Sequence, residues 1–401
     1  MLEDKIKNII NSLISLESFV ISKNLKGVDP YDALNSKRFS KFDNKYLRLL
    51  LTNFFRRSPF DFRSFFGIRD SINPKALGLF LTSYSNFDKL PVNFNSNNKW
   101  EILNLIKKYS NTNFPGNSWG YNFPWQNRFR LLPKNTPTAV NTAFVGHGLL
   151  DLYDSTMNTE ALEMANGAGL FLSESLNQTS FEDTICFSYT PFEKNLVHNA
   201  NMLVSSLLAR LYSINNNSIF RSLTLKSLKF TLKDQRSNGL WPYSIYEKTD
   251  IRRYQTDWHQ GFILDSLIMI YEYMDLDKDM KKQVEKAIVL GGNFYNKQFD
   301  NRGRGFWRYP QFYPVNIHNQ SQGITTFSKL EKFIPGSLQK SFSIVEWTIN
   351  NMQDQNGSFY YEQGHLYTNK IPYMRWNQAW MLYALSFFLL NYFKHEKKIK
   401  R

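Results

Sequence analysis

Asp234-Gln235-Arg236-Ser237-Asn238-Gly239-Leu240-Trp241-Pro242-Tyr243 has two relatives further along the chain, and the interval between the copies decides the fold. They are Gln298-Phe299-Asp300-Asn301-Arg302-Gly303-Arg304-Gly305-Phe306-Trp307-Arg308-Tyr309 and Asp354-Gln355-Asn356-Gly357-Ser358-Phe359-Tyr360-Tyr361. Each follows a helical stretch and runs a glutamine, a turn with glycine, then aromatic residues. Glycine ends a helix in the left-handed conformation, and the aromatic that follows can fold back onto it.

A helix with a polar start comes after each turn: Trp258-His259-Gln260-Gly261, His318-Asn319-Gln320-Ser321-Gln322 and Trp376-Asn377-Gln378-Ala379-Trp380. Val197-His198-Asn199-Ala200-Asn201 and Val140-Asn141-Thr142-Ala143 open two more upstream, and these five starts recur every 58 to 60 residues. Asn73-Pro74-Lys75-Ala76 supplies a sixth, 68 residues before Asn141, with proline at the first helical position. A repeat of this length is a supersecondary unit. Six helical hairpins predict an all-α fold, an (α/α)6 toroid of two concentric rings.

Segments such as Phe262-Ile263-Leu264-Asp265-Ser266-Leu267-Ile268-Met269-Ile270 are apolar on nearly every side and belong to the inner ring. Leu223 to Lys233 and Met280 to Tyr295 are amphipathic and suit the outer one. Inner helices that all run one way bring six polar starts, and six positive helix ends, to one end of the barrel. The ligand site is expected there. The division expected is one toroid domain over 1–401: N-terminal helices and the Asp29-Pro30-Tyr31-Asp32 segment in 1–60, hairpins in 61–393, and a basic tail in 394–401.

The chain has 401 residues, 42% of them hydrophobic and 21% charged, which suits a soluble globular protein. Aromatics reach 16%, and many of the Trp and Tyr lie beside Gly, Pro and Asn in loops, where rings can stack on flat ligands such as sugars. The single cysteine, Cys186, excludes an internal disulfide and reads as a small buried hydrophobe. The first residues lack the basic-then-apolar order of a signal peptide. Ala379 to Phe393 is shorter than the roughly 20 residues that span a bilayer. A cytoplasmic protein without a transmembrane segment is the expectation. A net charge of +15 admits anionic partners, among them acidic polysaccharides and nucleotide-linked sugars. No phosphate loop, nucleic-acid signature, metal-ligand spacing or cofactor motif is visible, so neither nucleic acid, metal nor cofactor is expected.

The glycine–aromatic turns resemble those of triterpene cyclases and, more broadly, six-hairpin glycosidase-like toroids, although the acidic cyclase motif is missing. A resemblance covering almost the whole chain rests on Gly27-Val28-Asp29-Pro30-Tyr31-Asp32-Ala33-Leu34-Asn35-Ser36, Asn73-Pro74-Lys75, Trp119-Gly120-Tyr121-Asn122-Phe123, Val197-His198-Asn199-Ala200-Asn201 and Thr256-Asp257-Trp258-His259-Gln260-Gly261. These segments look like a poorly characterised family of six-hairpin toroids associated with capsule and exopolysaccharide gene clusters. That family's threonine after the histidine is Gln260 here. The resemblance implies a link to surface polysaccharide and fixes no reaction.

His259 is the first candidate for chemistry, because histidine exchanges protons near neutrality. Asp257 lies two residues before it, and Arg253 and Tyr254 precede both. A lyase or epimerase acting on a uronic acid must neutralise the carboxylate and move the adjacent proton. Arg253, Tyr254, His259, Asn199 and Arg375 supply suitable groups. A hydrolase instead needs two carboxyl groups roughly 5–10 Å apart; Asp257 is one candidate, with Asp29, Asp32 or Glu362 as partner. Trp119, Tyr121, Trp125, Trp241, Tyr243, Trp307, Trp376 and Tyr373 are candidates for sugar stacking, with Asn201, His318 and Asn377 as polar contacts. Each Asn at a helix start is equally an ordinary cap. The readings left open are a hydrolase, lyase or epimerase of surface polysaccharide, a non-catalytic polysaccharide-binding or assembly protein, and an isoprenoid cyclase or prenyltransferase relative.

Overall fold

The computed structural model describes residues 2–39, 41–127, 130–246 and 249–399. Two helices, α1 (Leu2–Ser22) and α2 (Lys45–Arg57), precede five hairpins. These are α3 (Pro74–Phe87) with α4 (Asn98–Lys108), α5 (Ala139–Thr156) with α6 (Thr159–Glu174), and α7 (His198–Asn215) with α8 (Ser218–Lys233). Then come α9 (Trp258–Tyr273) with α10 (Lys278–Asn296), and α11 (Ile317–Leu330) with α12 (Ser337–Met352). The last helix, α13 (Trp380–Ile399), follows a π-helical turn over Met374–Ala379.

The odd-numbered helices from α3 to α13 pack in sequence, and α13 returns to α3 to close the inner ring. The even-numbered helices lie outside their hairpin partners. The sixth outer helix is α1, which packs against α13 and α12, so the two ends of the chain build the last hairpin together. This is the (α/α)6 toroid. Residues 2–22 thus supply the sixth outer helix, and the basic segment Lys394–Ile399 continues α13. Lys400 and Arg401 lie outside the described residues. No described helix is long and apolar enough to cross a membrane.

Two local devices repeat around the ring. Gly239, Gly303 and Gly357 have φ of 93°, 90° and 90°. A Cβ at these positions would collide with the carbonyl oxygens of Leu290 in α10, Ser343 in α12 and Ser15 in α1. Glycine therefore satisfies the left-handed turn and lets it lie against the next outer helix. Then a polar residue in the first turn of an inner helix clasps the chain that follows that turn. Gln260 accepts from Trp241 N at 3.1 Å and donates to Trp241 O at 2.9 Å. Gln378 does the same at Phe359 N and O, and Gln320 accepts from Gly305 N at 2.7 Å. Asn201 takes this place in α7, accepting from Phe187 N at 3.0 Å.

The helix starts are capped at the same end. Asn73, Thr138, Asp257 and Asn316 accept from backbone N–H groups in the first turns of α3, α5, α9 and α11. Short antiparallel strands feed these starts. Leu196–Val197 pairs with Pro242–Tyr246, which pairs with Ile251–Tyr254; Val315–Asn316 pairs with Glu362–Gln363. Lower in the barrel, the ion pairs Asp265–Lys329 and Asp151–Arg210 lie among the inner helices, at 2.7 and 2.9 Å.

Candidate active site

One side chain from the start of each inner-ring segment reaches a common chamber: Lys75, Val140, Asn199, Trp258 and His318 from the first turns of α3, α5, α7, α9 and α11, and Trp376 from the π-helical turn before α13. Their places at the six helix starts put them in a ring. One turn deeper, Phe144, Phe262 and Trp380 pack on one another as a floor, with ring centroids 5.1 to 5.7 Å apart. The chamber holds about 270 Å3, below the roughly 300–1,000 Å3 of drug-sized sites. Its walls add Tyr31, Arg56, Tyr121, Trp125, Tyr243, Arg253, Trp307, Arg308 and Arg375. An outer groove of about 890 Å3 shares Trp125, Tyr189, Tyr243 and Arg253 with the chamber and continues along Phe192.

His259 stands beside the ring position of α9. Its Nδ1 lies 2.6 Å from Asp257 Oδ1, which also accepts from His259 N at 3.1 Å. A carboxylate at Nδ1 fixes the Nδ1–H tautomer and leaves Nε2 as the nitrogen for a ligand. Asp257 is 1% exposed; Arg308 Nε stands 3.7 Å from its second oxygen. Tyr243 packs edge-on to the His259 ring at 4.8 Å, and burial pushes its hydroxyl up to about 12, which keeps it a donor.

His318 lies across Trp258 and Phe262 from His259, its ring 5.1 and 5.8 Å from theirs. Neither ring nitrogen has a hydrogen-bond partner. Burial, helped by Lys75, Arg375 and His259, holds the imidazole well below its ordinary value, so it is neutral. Asn199 Oδ1 is likewise buried without a partner. Five cations line the chamber, Arg56, Lys75, Arg253, Arg308 and Arg375, and no Asp or Glu is among the described lining residues. Among the described residues no group of three or more His, Cys, Asp or Glu is placed to hold a metal ion.

The chamber brings together His259, Arg253, Asn199, Tyr121, Trp125, Tyr243, Trp307, His318, Arg375 and Trp376, with Asp257 behind them. Others named from sequence stand elsewhere. Tyr254 is exposed on its strand under the Arg236 guanidinium, because alternation along the strand turns it away from Arg253. Trp119 and Trp241 are wedges, wholly buried, with indole N–H groups donating to Ile106 O and Thr231 O. Asn201 is a clasp, and Asn377 donates to Phe359 O and Ile371 O.

Arg375 is in the wall but committed: it forms a two-pronged pair with Asp29 at 2.6 and 2.8 Å and lies over Tyr121. The other carboxylates considered as hydrolytic partners are committed too. Asp32 pairs with Arg63 at 2.7 Å and receives Asp29 N, so this segment braces the chain. Glu362 accepts from Asn316 Nδ2 at 2.7 Å. Sequence reasoning passed over Lys75, Trp258, Arg56, Arg308 and Tyr189. A signal existed for Lys75, since a cation in the first turn of a helix opposes the helix dipole.

Comparison with known proteins gives fold relatives alone. No family model and no curated protein matches the chain. Among solved structures, a sugar epimerase from a ruminal bacterium is similar with a TM-score of 0.61 and 13% identity, over 81% of this chain and 90% of that one. An alpha-mannanase of glycoside hydrolase family 76 from Bacteroides thetaiotaomicron gives 0.60 and 14%, over 81% and 88%. Cellobiose 2-epimerase from Bacillus thermoamylovorans gives 0.60 and 13%, over 81% and 88%. All three carry the six-hairpin toroid; at these identities the likeness shows the fold.

Proposed function

We propose that the chamber is the active site of a carbohydrate-converting enzyme that works by proton transfer at a sugar carbon, as an epimerase or lyase. The observation that carries this is the pairing of His259, oriented by Asp257, with a neutral and unpartnered His318 in a chamber whose described lining holds no carboxylate. His259 Nε2 takes the proton from a carbon next to a carbonyl or carboxyl group. The electron pair spreads onto that group's oxygens beside the cations. A proton returned to the opposite face inverts the carbon; departure of the neighbouring substituent with its bonding electrons leaves a double bond.

Two-carboxylate hydrolysis lacks its second free acid, because Asp29, Asp32 and Glu362 are each held by a partner. An isoprenoid cyclase calls for an apolar chamber, and five cations contradict that. Rings such as Trp125, Tyr243, Trp307 and Trp376 suit the faces of a sugar. The chamber takes the terminal ring, and the groove beyond Trp125 takes the units attached to it. The activities of the fold relatives, two epimerases and a mannanase, agree with a sugar substrate. The capsule or exopolysaccharide setting is supported by the sequence resemblance.

The test is incubation with surface oligosaccharides in deuterated water, read by mass spectrometry. Deuterium on a ring carbon, or an unsaturated product, is expected from the wild type and not from His259→Ala. Shortened saturated products would make the protein a hydrolase. Binding without any conversion would make it an assembly protein.

A further inference from the structure

Lys75 occupies the ring position of α3 and is 3% exposed. Its Nζ lies 4.2 Å from the Phe144 ring centroid, 5.1 Å from that of Trp380 and 5.6 Å from that of Phe262. Among the described residues its Nζ has no hydrogen-bond or ion-pair partner, unlike that of another buried lysine, Lys329, which pairs with Asp265. Burial, with Arg375 nearby, pushes the amine well below its ordinary value. Ring faces attract an ammonium, but they do not replace a counter-ion in a buried site. A methionine would cover the same aromatic floor with no charge to bury. The lysine is thus costly for folding, and what it lacks is an anion.

The surroundings define that anion. Two further ring positions, His318 and Asn199, hold buried polar atoms with no partner: both imidazole nitrogens of one and Oδ1 of the other. An oxygen acceptor for Lys75 and a hydroxyl donor for Asn199 are what these side chains lack. We propose that Lys75 anchors the carboxylate of the sugar ring in the chamber, so that the substrate is a uronic acid rather than a neutral sugar. This rests on the sugar reading of the same chamber. The salt bridge that Lys75 then forms neutralises the group onto which the electron pair moves when His259 takes the adjacent proton.

The experiment is calorimetric titration of glucuronate, galacturonate and mannuronate methyl glycosides, each beside its neutral hexoside, into wild type and Lys75→Met. At least one uronate is expected to bind the wild type about tenfold or more tighter than its neutral counterpart. In Lys75→Met the preference shrinks to about twofold or less, while the melting temperature stays level or rises. A second readout keeps the native side chain: the uronate that binds, but not its neutral counterpart, protects Lys75 from reductive methylation mapped by peptide mass. Equal binding of acidic and neutral sugars, a preference that survives Lys75→Met, or equal protection by both sugars overturns the role of Lys75 and leaves the sugar site standing. If no sugar of either kind binds, the sugar reading fails and this inference with it.

Discussion

At the scale of single residues, Asp257 does two jobs with one oxygen: it caps α9 and holds the His259 ring. Asn caps a helix as well as Asp, so Asp257→Asn is expected to keep the melting temperature within a few degrees. The same change removes the carboxylate that fixes the tautomer, and conversion should fall by about a hundredfold or more. Equal losses of stability and activity would show a cap and nothing else. Glu362 gives a second prediction. Burial pushes its carboxyl up to about 7, against the lowering pull of the Asn316 amide and Arg56. A carboxyl raised in the folded state contributes stability that is present below about 4.5 and lost as pH rises through 7. Glu362→Gln should therefore match the wild type at pH 4 and exceed it at pH 8, by up to about 3 kcal/mol. Denaturant titrations at the two pH values check this; a constant difference would refute it. The polar starts gave away the neighbourhood of the site but not each residue's part in it. Neighbours in a first turn face different ways, so Asn199 lines the chamber while Asn201 clasps the backbone. Sequence shows both as asparagines at a helix start. Lys75 escaped because its place against the helix dipole does not by itself tell a buried lysine from a solvated one.

At the scale of elements, the glycine turn is the unit that sequence exposed best. The Gly239, Gly303 and Gly357 turns each need a left-handed residue and a bare Cα against the next outer helix. The first requirement is local and the second falls on the same residue, so the glycine marks the sequence directly. Gly239→Ala is expected to cost about 2–4 kcal/mol, combining backbone strain with a collision at Leu290 O. Gly336 is the control: its φ is 89°, but an added Cβ meets nothing within 4 Å. Gly336→Ala should cost only about 1–2 kcal/mol. Thermal or chemical unfolding of the two variants separates strain from collision, and equal losses would show that the close approach contributes nothing. The clasping Gln260, Gln320 and Gln378 were less legible, because a glutamine that bonds a backbone 15 to 19 residues away has no local signature. They account for Gln260 at the place where the resembling family has threonine.

At the scale of the whole molecule, a sixty-residue repeat predicts a ring but not who completes it. The sixth hairpin joins α13 to α1, with Gln353 bonded to Ser12 and the Gly357 turn lying on Ser15. That contact spans nearly the full chain, and no periodicity within the hairpins announces it. The same long-range closure aligns the six helix starts, so the chamber belongs to the ring rather than to any one hairpin. Its size then bears on function. A chamber of about 270 Å3 continuous with a groove of about 890 Å3 suits a ligand longer than one ring. For the carbohydrate proposed here, conversion efficiency should rise from a monosaccharide to a tri- or tetrasaccharide, by about tenfold or more. Phe192 lines the groove but not the chamber, and it is 53% exposed. Phe192→Ala is expected to remove much of that gain, about threefold to tenfold for the longer substrates, while leaving the monosaccharide rate unchanged. Steady-state rates across chain lengths decide this. A flat dependence would confine recognition to the chamber, and a uniform loss at every length would mean that Phe192 shapes the chamber from outside. A gain that Phe192 alone carries would instead show that binding energy gathered in the groove is spent on the ring held between His259 and His318.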